Sequence, residues 1–120
     1  MLAKIILFFL FLCAIEGYTM EADIINVDIK SEGENRYTFK VTVQHEDTGW
    51  DHYADRWEIL TTIGEIIAVR VLQHPHVTEQ PFTRQLPYVI IPENINQVII
   101  RAHCSIHEFG GKEISVTIPR

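Results

Sequence analysis

The chain has 120 residues, of which 47% are hydrophobic, and a formal charge of −6 at neutral pH. That length holds one domain. The apolar content excludes a disordered chain, and the acidic balance excludes nucleic-acid binding, which needs a basic footprint. There is no lysine/arginine cluster for anionic lipid, so no membrane contact beyond an export signal is expected.

Lys4 precedes an apolar run over residues 5–15. The run is too short to span a bilayer and fits the core of a signal peptide. The reading is a leader over residues 1–19 and a mature domain over residues 20–120. No A-x-A site marks the bond within residues 17–23, but the small Gly17 and Thr19 favour a cut after Thr19. Two other readings of the run are an acylated Cys13, which bulky Phe11 and Leu12 disfavour, and an uncleaved anchor. Cleavage removes Lys4 and Glu16 together and leaves the charge unchanged. The expected location is periplasmic or secreted. Thiols usually pair in that compartment, yet Cys104 would be alone there. Such a thiol is buried and inert, bonded to another chain, or a metal ligand.

Residues 22–30 alternate, with Ile25, Val27 and Ile29 on one side, as in a half-buried strand. A turn follows over residues 31–35. Residues 36–45 alternate more cleanly, with Tyr37, Phe39, Val41 and Val43 inward and His45 continuing that phase. Residues 46–51 form an acidic loop. A third strand is predicted over residues 52–60, with Tyr53, Trp57 and Ile59 in phase. After a turn, a fourth covers residues 65–73, with Ile67, Val69 and Val71 inward. A fifth covers residues 82–91, where Pro87 marks an edge or a bulge. The sixth, residues 97–103, turns Val98, Ile100 and Ala102 inward, with Cys104 in the same phase and Arg101 and His103 outward. A glycine-bounded loop leads to the last strand, residues 112–118. Seven short strands with regular turns and no amphipathic helix predict an all-β, single immunoglobulin-like antiparallel β-sandwich.

Between the fourth and fifth strands lies His74-Pro75-His76. Pro75 biases His74 toward an extended backbone, and residues two apart in an extended segment face the same side. If the strands run alternately up and down, the other loops carrying histidine reach that same end. His45 and His52 flank the acidic loop, and His103 and His107 flank Cys104. All six histidines then share one end of the sandwich. Neutral imidazole is the commonest protein ligand for transition metals, and thiolate suits the softer ones. The predicted metal ligands are drawn from His45, His52, His74, His76, His103, Cys104 and His107. Asp51 and Glu79 are candidates to accept the other ring N–H of a ligand histidine. Iron or copper is favoured if Cys104 coordinates, and zinc or copper if only histidines do.

Cys104-Ser105-Ile106-His107, just before the final strand, resembles the cysteine–histidine motif of superoxide reductases (desulfoferrodoxin-like domains). His45 and His52, followed by Trp57-Glu58-Ile59-Leu60, are similar to that family's earlier ligand loop in order and spacing. The resemblance implies a mononuclear iron in an immunoglobulin-like sandwich, although the family's N-terminal ligand segment is missing here. Cupredoxins share a C-x-x-H before the last strand, but no methionine is placed to serve as their axial ligand. The stretches His74 to Arg84 and Arg101 to Lys112 resemble a group of short exported bacterial β-sandwich proteins to which no activity is assigned. Two functions follow as expectations. One is an exported domain binding one transition metal at a histidine-rich end, with a redox role if a coordination position stays open. The other is a non-enzymatic periplasmic module that binds a protein or peptide at the same loops.

Overall fold

The computed structural model describes residues 21–120, so the expected leader and Cys13 lie outside the described residues. Seven strands follow in order: β1 Asp23–Gly33, β2 Arg36–Gln44, β3 Ala54–Thr61, β4 Ile66–Val71, β5 Phe82–Ile90, β6 Gln97–Cys104 and β7 Ile114–Thr117. They form two sheets, β1-β2-β5 and β4-β3-β6-β7, and every pairing is antiparallel. The fold is therefore the expected immunoglobulin-like sandwich, with β4 hydrogen-bonded to β3 instead of to β5. No helix occurs among the described residues.

The core forms where period-2 patterns from both sheets meet. Tyr37, Phe39, Val41 and Val43 of β2 are buried, as are Val98, Ile100, Ala102 and Cys104 of β6. Trp57 and Ile59 of β3 are fully buried in the same cluster. Each valine, isoleucine or phenylalanine among them contributes about 1.5–3 kcal/mol relative to an exposed one.

Three predicted phases are corrected, the first two by a local irregularity that periodicity does not reveal. The β1–β2 register shifts between Ile24 and Asn26, so Ile24 is buried and Ile25 is exposed. The β3–β6 register shifts between Ala54 and Arg56, which turns Ala54 inward in place of Tyr53. In β4, Arg70 pairs with Trp57 and Ala68 with Ile59, so Val69 and Val71 face solvent. Arg70 extends from this inner phase to β5, where its Nε donates to the Gln85 carbonyl at 3.0 Å. Pro87 lies on the edge strand β5 at a bulge, where Val89 pairs with Tyr37 but Leu86 with Phe39. The first hairpin turns tightly at Glu34 and Asn35, both at positive φ, as a two-residue connection requires.

The registers bring the important loops together. Asp23 lies opposite Gln44, Phe82 opposite Val43, Ala54 opposite Cys104, and Val71 opposite Arg56. The segments 45–53, 72–81 and 105–111 thus leave the sheets at one end.

Candidate metal centre

His45 ends the inward phase of β2, and Cys104 ends the inward phase of β6; both are buried. His52 approaches them from the loop before β3. One donor atom from each of His45, His52 and Cys104 lies within 4.8 Å of the others. Two nitrogens and a sulfur bound tetrahedrally to one ion sit roughly 3.3–3.6 Å apart. A closure of at most about 1.5 Å would therefore bring the three onto a metal.

The surroundings prepare each donor. His45 Nδ1 donates to Asp47 Oδ1 at 2.6 Å, so a metal would meet that ring at Nε2. The His52 and His45 ring centroids are 4.9 Å apart, edge to face. His52 Nε2 is buried and has no hydrogen-bond partner among the described residues. A buried imidazole nitrogen left unpaired is costly, and a metal ion is one partner that would satisfy it. Cys104 Sγ accepts a hydrogen bond from the His107 backbone N–H at 3.4 Å, an interaction that suits a thiolate. The His107 ring is exposed, with its centroid 5.2 Å from that of His52. Backbone bonds between Cys104 and Glu108, 2.8 Å in each direction, close this loop into a tight turn.

Asp47 holds the site together. Its side chain is fully buried. Oδ1 also accepts from the Ala54 N–H at 3.0 Å, and Oδ2 accepts from the His76 N–H at 2.7 Å. Burial alone would raise its carboxyl, but the bonds from His45, His76 and Ala54 and the nearby His45 ring outweigh that and hold it below the ordinary value of 3.8. Gln80 adds a second clamp. It accepts from the His45 N–H and donates to the His76 carbonyl, both at 3.0 Å. The sequence reading missed Asp47 and Gln80. Asp47 lies two residues from His45, but nothing in the sequence ranks it above Glu46 or Asp51.

The remaining candidates go elsewhere. His74 and His76 stand 4.7 Å apart, and His76 stacks on Phe82 at 3.8 Å. Arg84 Nη2 lies 2.9 Å from His76 Nε2. Arginine only donates, so Nε2 accepts and His76 is neutral with its proton on Nδ1. Burial, then the charge of Arg84 and that of His74, lower the His76 pKa against weaker pulls from Asp47 and Glu79. His103 lies on the outer face of its sheet, with Nδ1 2.7 Å from Asp55 Oδ1. It belongs to a network in which buried Glu58 pairs with Arg56 and Arg101, and Arg101 covers the Phe109 ring at 3.7 Å. Asp51 is exposed, and the carboxylate on His45 is that of Asp47. Glu79 lies 3.7 Å from Arg84. The predicted gathering at one end thus resolves into a cysteine–histidine cluster, a tilted histidine pair tied to it through Asp47, and an outer-face histidine.

No protein-family model matches the chain, and no solved structure matches it. The chain is similar to a protein of Halomicrobium mukohataei named "Putative lipoprotein", with 38% identity over 96 residues, or 80% of this chain. It spans about half (47%) of that protein's length. Neither superoxide reductases nor cupredoxins emerge from these comparisons.

Proposed function

We propose that this is an exported domain that binds one transition-metal ion through His45, His52 and Cys104. The observation that carries the reading is the unpartnered, buried His52 Nε2 beside a second imidazole and a thiol. Two imidazoles with one thiolate suit copper or iron, with zinc as the non-redox alternative. Asp47 fixes the orientation of His45, and the His107 backbone N–H stabilises charge on Cys104. A bound ion would bring Lewis acidity or, as copper or iron, electron transfer. Three protein donors leave a fourth position for the His107 ring or a small ligand. A redox role similar to that of superoxide reductase requires that position to open. The apolar run over residues 5–15 supports export, and the name of the Halomicrobium relative supports a membrane tether, whose acylation point would be Cys13 despite the bulky Phe11 and Leu12 before it.

The test is metal analysis of protein recovered after export, together with visible and electron-paramagnetic-resonance spectra. The expected result is about one ion per chain and, for copper or iron, a thiolate charge-transfer band lost in Cys104→Ala. Protein that is isolated without metal and has no submicromolar affinity for copper, iron or zinc would end this reading.

A further inference from the structure

The described chain starts at the end that carries the cysteine–histidine cluster. Asp23 pairs with Gln44, the residue before His45. The Ile24 N–H donates to the Lys112 carbonyl at 2.8 Å, and the Lys112 N–H donates to Asp23 Oδ1 at 2.7 Å. Gly111 approaches Ala22 so closely that a Cβ there would lie 1.9 Å from the Ala22 carbonyl oxygen. The start of β1 is therefore pinned to the segment that follows His107. Residues 1–20 join the domain at that point.

Each of the three loops at this end exposes one large apolar side chain. Trp50 is 68% exposed, Val77 54% and Ile106 56%. The loops are bound to one another. The Ser105 N–H donates to the Tyr53 carbonyl at 2.9 Å, and the Tyr53 N–H donates to Ser105 Oγ at 3.0 Å. Asp47 joins the loop of Trp50 to that of Val77 through the His76 N–H. Among the exposed charged neighbours, Glu46, Asp51, Glu79 and Glu108 are acidic and outnumber the basic Lys112.

We propose that this end docks on an electrically neutral lipid bilayer, with Trp50, Ile106 and Val77 as the contact. The proposal rests on the membrane tether suggested above and is independent of whether a metal binds. From Cys13 to Glu21 the chain reaches at most about 30 Å, which keeps an anchored domain's loop end beside the headgroups. Tryptophan favours the headgroup level, and branched aliphatic side chains enter the acyl boundary. Acidic neighbours are repelled by anionic lipid, so the surface is zwitterionic. The exposed His107 would then open at the interface.

The experiment reconstitutes the full-length chain with phosphatidylcholine vesicles that carry brominated acyl chains. Trp57 is buried in the core and serves as the reference fluorophore. The expected result is quenching of the tryptophan emission, abolished in Trp50→Phe and reduced in Ile106→Asp, while both variants still float with the vesicles. Flotation without quenching would overturn the docking and leave the tether standing. A chain that does not float would overturn both. Metal content measured on the same samples reports separately on the cysteine–histidine cluster.

Discussion

Two histidine groups lie at the same end of the sandwich, and they differ in what their nitrogens touch. In the cluster of His45, His52 and Cys104, a carboxylate sits behind one ring, and the other ring keeps a buried nitrogen unpartnered. In the pair of His74 and His76, the guanidinium of Arg84 takes the buried ring's Nε2, Phe82 covers its face, and the Nδ1, also buried without a partner among the described residues, carries the proton and so offers a metal no lone pair. A carboxylate behind an imidazole strengthens it as a ligand. A guanidinium at its Nε2 occupies the lone pair and repels a cation. Histidine at a loop end is thus a candidate in both places, but its neighbours leave one group available as the proposed donor set and make the other a packing element.

The largest expected effect that tests this contrast is on metal affinity. Cys104→Ala or His52→Ala should weaken binding by more than about 100-fold, the upper end for loss of a merely supporting group. His76→Ala should leave affinity unchanged, as isothermal titration would show; an equal loss there would erase the distinction between the groups. Asp47→Asn should come next. It should lower affinity about 10–100-fold, and loss of charged acceptor bonds should lower stability by on the order of 3 kcal/mol. The readout is a urea midpoint measured alongside the titration. His76→Ala should lower stability by about 1–3 kcal/mol through the lost stack and hydrogen bond.

Acid should separate the groups further. The His76 pKa is held below the ordinary 6.5, so the unfolded chain binds a proton first as the pH falls. Stability should decline from about pH 6.5 downward and level off below the folded-state value. Asp47, held below 3.8, contributes stability that is full above that pH and disappears as the pH falls through its folded-state value. Urea midpoints across pH should show both losses, and His76→Ala should remove only the first. The smallest effect is expected for His103→Ala. The ring is partly exposed on the outer face, so metal affinity should not move and stability should fall by less than about 1 kcal/mol.

Strand number, sandwich class and the inward direction of Cys104 were legible because alternation with period 2 survives wherever a strand is regular. The end shared by His45, His52, His74, His76 and Cys104 was legible because antiparallel neighbours reverse direction at each turn. The phases of Ile25 and Tyr53 were misread because a bulge inserts one residue and leaves no mark in the apolar pattern. Val69 and Val71 were misread because a solvated edge strand tolerates valine outside and arginine within.

The sequence alone determined which residue types could bind a metal and roughly where along the chain they stand, since composition and alternation are local properties. Only the tertiary structure decided which of them meet. Asp47 rather than Asp51 came to lie behind His45, Arg84 came to cap His76, and His103 was turned to the outer face. Those outcomes depend on strand register and loop closure, which bring together residues as far apart as His45 and Cys104, and no short stretch of sequence encodes such contacts.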